Sequence, residues 1–363
     1  MKISCVLRTD QSDLTYARRV LMKPRAEARI AKVGKEYLRF FWIGLLEGDG
    51  TIGITFKPKA KRVKCIDFSI EMNYTPQTEV MLHAIAMVVG GDVSITRMND
   101  ALAGRRKLMI EWSVRRMEDI KRVLLLLETY SLLTTKGRSR RDWVKWVFEK
   151  QYIENAPREE VYHYARNVKS KLELEETRRR FFRGNYENIF YIKPWLSGFL
   201  EAEACWSTVD PVPAVPGVSR SKGSKNTCQV PQKGERDLLI FIGKYFGYET
   251  PYIYFRRDGS DDLQMSRRDS LKLRYEHVHA NPLLGYKGVQ FEEFFNTVKA
   301  RPTRAIDGKI ILFDIPKDSL FVKIREDPLI YAPIPEGNLD NSSIPIKKEK
   351  KSDSESSSGS EED

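Results

Sequence analysis

Apolar positions recur along this chain in two rhythms, and the rhythm changes twice at the same kind of landmark. Phe41-Trp42-Ile43-Gly44-Leu45-Leu46-Glu47-Gly48-Asp49-Gly50 and Trp195-Leu196-Ser197-Gly198-Phe199-Leu200-Glu201-Ala202-Glu203-Ala204 are both apolar segments that end on acidic residues. They read as helices over roughly 35–48 and 191–203, with Pro194 in the first turn of the second, where a missing N–H is tolerated. Past Gly50 the period becomes two: Ile52, Ile54 and Phe56 point one way, Thr51, Thr55 and Lys57 the other. A lysine-rich turn follows, and Ile66, Phe68, Ile70 and Met72 give the apolar face of a returning strand. A helix over 77–89 stops at Gly90-Gly91. Strands near 92–98 and 107–115 and helices near 116–128 and 137–151 complete the unit.

The second unit repeats the plan. Strands are predicted near 205–210, 226–231, 251–257 and 262–266, a helix near 234–246, and closing helices near 267–279 and 288–299. The Pro- and Gly-containing stretch Asp210–Lys225 reads as a long loop. The chain therefore divides into a basic extension (1–34), a first repeat (35–151), a charged, partly helical linker (152–190), a second repeat (191–300), a C-terminal extension (301–341) and a Ser/Lys/Glu-rich tail (342–363) without apolar pattern. The predicted class is α+β, two tandem αββαββα repeats.

Aligned, the two motif segments place Asp49 on Glu203, Glu47 on Glu201, and Gly44 and Gly48 on Gly198 and Ala202. Residues four apart share a helix face, so each helix carries a stripe of small residues. Glycine inside a helix costs about 1 kcal/mol relative to alanine, which close packing of two backbones would offset. The acids fall at the helix C-termini, where the macrodipole disfavours carboxylates and a divalent cation would reverse the sign. Matched acids on matched helices predict one shared metal site.

Both segments resemble the signature helices of LAGLIDADG homing endonucleases in their single-chain, two-repeat form, over roughly residues 35–300. The resemblance implies a pseudo-two-fold saddle with the motif helices paired at the interface. It implies site-specific cleavage of double-stranded DNA at a long pseudo-palindromic target by a monomer using Mg²⁺ or another divalent cation. Asp49 and Glu203 take the family's metal-binding positions, and Ala204 departs from the usual Gly. Lys136 and Lys287, each just before a helix, take the place of a lysine that organises solvent and phosphate. Gln232 and Arg236 match a pair that lines the catalytic water network. Their first-repeat counterparts align as Tyr74 and Thr78, or as Thr75 and Glu79 if Gly90 is matched to Gly247, and neither alignment supplies an arginine. Candidate DNA contacts are Lys57, Lys59, Arg62, Lys64, Arg97, Arg105, Arg220, Lys222, Lys225, Arg256 and Arg257. Asp67 and Glu71 share their outward parity. An intron-encoded member of this kind belongs in an organelle, the mitochondrion first and the chloroplast second. Two alternatives stay open: an intron maturase that binds its host intron RNA, and a DNA-binding relic without cleavage.

Composition narrows the partner. The 363 residues carry a net charge of +12, which favours a polyanion. The four cysteines have no metal-like spacing and fit a reducing compartment, and the four histidines form no metal signature. No apolar run reaches the length of a membrane span, and no apolar signal core opens the chain.

Overall fold

The computed structural model describes residues 16–100, 105–167, 186–209, 225–267 and 269–300. Arg220, Lys222, most of the 210–225 loop, the 301–341 extension and the tail lie outside the described residues. The chain enters through helix α1 (Tyr16–Ala31), continues into α2 (Lys35–Asp49), and reaches the second motif helix, α7 (Ile192–Glu203), after the first sheet. Helix α2 buries Leu38 and every residue from Phe40 to Glu47, and α7 buries every residue from Trp195 to Glu201. A helix apolar around its circumference must lie between two layers. Here each motif helix is the other's neighbour.

The glycines explain how close they come. A Cβ on Gly44 would overlap the carbonyl oxygen of Trp195 and lie 2.8 Å from the Phe199 nitrogen. A Cβ on Gly198 would overlap the carbonyl oxygen of Phe41 and lie 2.9 Å from the Leu45 nitrogen. Trp195 and Phe199 are the counterparts of Phe41 and Leu45, so the contact obeys a local two-fold.

Each motif helix feeds a four-stranded antiparallel sheet. The first comprises β1 (Gly50–Lys57), β2 (Arg62–Asn73), β3 (Asp92–Asp100) and β4 (Arg105–Val114) in the order β1-β2-β4-β3. The second comprises β5 (Cys205–Val209), β6 (Lys225–Gln232), β7 (Ile253–Phe255) and β8 (Asp261–Met265) in the order β5-β6-β8-β7. Helices α3 (Pro76–Val89) and α8 (Arg236–Tyr245) connect the strand pairs; α4 (Met117–Thr129) with α5 (Thr135–Phe148), and α9 (Asp269–Ala280) with α10 (Tyr286–Ala300), close the repeats. Helix α3 starts where Thr75 accepts the Thr78 amide at 3.1 Å and ends at Gly90, whose φ of 96° suits glycine. The order αββαββα thus occurs twice, as the periodicity predicts.

Alternation sorts the faces. Ile52, Phe68, Ile70, Ile110 and Trp112 are buried against helices, with the Trp112 ring edge-on to Trp42 at 5.5 Å. Thr51, Asp67, Ser69, Glu71, Glu111 and Ser113 fall on the opposite face, where Glu71 stands across from Glu111. In the second repeat Trp206, Cys228, Val230, Leu263 and Met265 are buried, and Trp206 meets Phe291 at 4.9 Å.

Two segments read as peripheral are packed. Helix α6 (Arg158–Asn167), inside the charged linker range, lies on the β1–β2 hairpin: Tyr162 meets Phe56 edge-on at 5.6 Å, and Lys61 pairs with Glu159 at 2.7 Å. The last turns of α1 dock too. Ala26 is buried, α1 packs on α3, and Arg29 reaches Glu292 of α10 at 2.5 Å.

Candidate active site

Asp49 and Glu203 are the final residues of α2 and α7. The small-residue stripe brings these ends together: a Cβ on Gly48 would collide with that of Ala202 and come within 3.2 Å of the Glu203 Cγ. Burial pushes Asp49 up to about 6, against the opposing pull of the Lys287 ammonium. Glu203 is pushed up to about 7 by burial and then by the charge of Asp49, against Lys136 and Lys287. Asp49 still exposes much of its surface, so water screens part of that push, while Glu203 is half-buried. Gln232 donates from Nε2 to Glu203 Oε1 at 2.9 Å. Asp49 has no hydrogen-bond partner among the described residues.

Both lysines lie close to the acids. Lys136 of the first repeat bears on Glu203 of the second, and Lys287 of the second bears on both Asp49 and Glu203. Burial, and then Arg140 one helical turn away, hold the Lys136 ammonium below its ordinary range. Arg140 itself is half-buried and has no ion pair among the described residues. It is a cation near the first repeat's lysine that the sequence reading overlooked.

Two buried glutamates fix the helices that carry the lysines. Glu47 accepts from the Leu133 amide (3.0 Å), the Thr134 amide (2.6 Å) and hydroxyl (2.7 Å), and Trp195 Nε1 (2.6 Å). Glu201 accepts from the Lys287 amide at 2.9 Å and from the Gly285 amide. Its Oε2 is buried without a partner, and Phe41, which has no donor, stands where Trp195 stands in the other half. Burial raises both carboxyls, Glu201 to about 7.

Strand register corrects one alignment. Thr51 pairs with Ser69 and Cys205 with Gln229, so Gln232 corresponds to Met72 and Arg236 to Pro76. Arg236 and Pro76 are indeed the first residues of α8 and α3. Tyr74 instead hydrogen-bonds Glu79 at 3.2 Å, and Thr78 is buried in the α3 cap. Arg236 donates to Asp261 at 2.8 Å and does not bridge the two acids.

A family model described as LAGLIDADG endonuclease matches residues 42–147. A probable intron-encoded endonuclease of Dictyostelium citrinum is 25% identical over 267 residues, covering 73% of this chain and 97% of its own. One of Dictyostelium discoideum is 27% identical over 262 residues, 72% and 97% of the two chains. Among solved structures, the I-LtrWI LAGLIDADG homing endonuclease bound to target DNA superposes with a TM-score of 0.58 at 18% identity, covering 80% of this chain and 97% of that one. The LAGLIDADG meganuclease I-AabMI bound to uncleaved DNA gives 0.54 at 15% identity, over 72% and 90%.

Residues 42–147 are thus similar to LAGLIDADG endonucleases in sequence, and both repeats share the fold of LAGLIDADG homing endonucleases. On the two sheets the basic residues fall unevenly. Lys57 and Arg62 face each other at the end of the first hairpin, Lys59 lies in the turn between them, and Lys64 is the residue skipped by the register shift between Thr55 and Phe56. Arg97 pairs with Leu108 and shares the parity of Ile95 and Ile110, which is the helix side of the sheet. Arg105 pairs with Asp100, and Lys225 with Val209, in the strand ladders. Arg256 is ion-paired with the fully buried Asp262, which also accepts from the Tyr254 hydroxyl at 2.6 Å. Arg257 is exposed.

Proposed function

We propose that this chain is a site-specific double-stranded DNA endonuclease that hydrolyses phosphodiesters with divalent metal, Mg²⁺ in the first instance. The observation that carries the reading is the pair of acids, Asp49 and Glu203, held at one end of two interlocked helices with Lys136 and Lys287 beside them. Two adjacent carboxylates, both raised by burial and one of them unpartnered, form a hard-oxygen donor set that fits such a cation. Among the described residues no third acidic, His or Cys side chain joins them, so phosphate and water would complete the coordination. Bound there, the metal supplies an activated water and neutralises charge at the phosphate and leaving oxygen. The protein's own groups do the rest. Gln232 fixes the Glu203 carboxylate, and the Lys136 and Lys287 ammonium groups face the charge that develops on the phosphate. The two polar sheet faces align with the major groove, where lysines at turns hold phosphates and strand residues read bases.

Both acids come from one chain, so the site is complete in a monomer, and its local two-fold suits a long pseudo-palindromic target. The likeness to intron-encoded proteins supports an organellar setting, with the mitochondrion as the specific compartment proposed. The test is Asp49→Asn and Glu203→Gln on a target selected from a randomised duplex library, with cleavage and gel-shift affinity measured on the same duplex. Both variants should bind and neither should cut both strands. Full cleavage by either would remove these acids from the chemistry.

A further inference from the structure

We propose that Glu235 is a positioning residue for Lys136, supplied by the opposite repeat, and that it gives the two halves of the catalytic centre unequal precision. The proposal rests on the endonuclease reading above. The first turn of α5 presents a run of backbone N–H groups without helical partners, as every helix start does. Glu47 takes those of Leu133 and Thr134. The Thr134 hydroxyl takes that of Gly137 at 3.0 Å. The two that remain, Thr135 and Lys136, donate to Glu235 Oε1 at 2.7 and 3.3 Å, and the Thr135 hydroxyl reaches Glu235 Oε2 at 3.4 Å.

Glu235 is buried, and it lies three residues beyond Gln232 on the turn between β6 and α8. One short turn therefore grips Glu203 through Gln232 and the backbone of Lys136 through Glu235. The acid of one repeat and the lysine of the other are set by the same few residues.

The other half lacks this device. By strand register the counterpart of Glu235 is Thr75, and its hydroxyl is committed to the start of its own helix, at 3.1 Å from the Thr78 amide and 2.8 Å from the Thr78 hydroxyl. Lys287 is held by Glu201, from its own repeat. A carboxylate on a helix start is also favoured by the macrodipole, so the grip on α5 has charge as well as geometry behind it.

The experiment is single-turnover cleavage by the full chain with each DNA strand labelled separately, alongside gel-shift affinity and amide hydrogen exchange. Glu235→Ala should slow one strand by about tenfold or more, since misplacing a catalytic group by about 1 Å costs on the order of a hundredfold. The other strand and the affinity should change less than about threefold, within the factor of context dependence of such effects. Exchange at Thr135 and Lys136 should rise while the rest of α5 stays protected. Glu235→Gln keeps one acceptor oxygen and should restore most of the lost rate. Equal slowing of both strands, or unchanged exchange at Thr135 and Lys136, would overturn the proposal. Absence of cleavage by the unmutated chain would instead overturn the endonuclease reading.

Discussion

The packing of α2 on α7 makes a sharp forecast for Gly44→Ala. On an isolated helix this change would stabilise by about 1 kcal/mol, because glycine is the poorer helix former. Here the new methyl has nowhere to go. It would overlap the Trp195 carbonyl oxygen and stand 2.8 Å from the Phe199 nitrogen and 2.9 Å from the Trp195 carbonyl carbon. Those atoms are backbone and cannot swing aside. Optimal carbon contacts are about 3.5–4.0 Å, so the helices must part by roughly 1 Å along their central contact. Overpacking of this sort costs about 1–3 kcal/mol, and a backbone clash belongs at the upper end. Net destabilisation of about 2 kcal/mol is expected once the propensity gain is subtracted. Gly198→Ala should behave alike, because its methyl meets the symmetry-related Phe41 carbonyl. The double variant should cost less than the sum, since one separation relieves both clashes. Cutting should suffer more than folding, because parting the helices also parts Asp49 from Glu203. Urea denaturation measures the stability and strand cleavage the rate. Stabilisation by Gly44→Ala would refute the close approach on which the shared acid pair depends.

Two further outcomes follow from charge. Glu201 and Glu235 are raised to about 7 in the folded chain, so between roughly pH 4.5 and 7 the folded state holds protons that the unfolded state has released. Their contribution therefore favours folding at pH 5 and turns against it as pH rises through 7, by on the order of 3 kcal/mol for each fully shifted buried group. Melting temperature without metal should fall from pH 5.5 to 8, and Mg²⁺ should recover part of the loss at pH 8; a steady rise over that range contradicts the assignment. DNA affinity should also drop steeply with salt, with a slope of about −0.9 per phosphate neutralised, and a flat response would exclude the basic sheet ends as phosphate contacts.

Much of this architecture is legible in the chain. A segment apolar on all sides, with small residues four apart, has few options besides a buried helix packed on another, and both motif helices obey that reading. The strands were visible for the same reason, since alternation in 51–57 and 66–72 survives into one buried and one polar face. Partial helicity of the 152–190 segment is legible, but the docking of α6 is not. Its buried positions are Val161, Tyr162 and Ala165, isolated among charges, and burial comes from the distant β1–β2 hairpin. The alternative that puts Thr75 and Glu79 opposite Gln232 and Arg236 fails for a local reason. Helix α3 has 14 residues and α8 has 10, so matching the glycines at their C-terminal ends displaces everything at their starts. Glu235 carried no signal at all, because its partner Thr135 lies 100 residues away.

The departures from symmetry bear on why two repeats share one chain. In a dimer of identical subunits, every side chain near the axis must serve both halves. Here the backbones of α2 and α7 keep the two-fold while the side chains abandon it. Trp195 gives Glu47 a donor, whereas Phe41 leaves Glu201 Oε2 buried and unpartnered. A buried carboxylate oxygen without a donor is costly, typically about 1–3 kcal/mol. That cost weighs on the half whose lysine, Lys287, also lacks a clamp from the opposite repeat. The half around Lys136 is braced twice, by Glu47 and by Glu235. Fusion lets each half settle its own balance between order and strain. The side chains around Lys136 commit more hydrogen bonds to position than those around Lys287, and unequal cutting of the two DNA strands is the outcome expected from that difference.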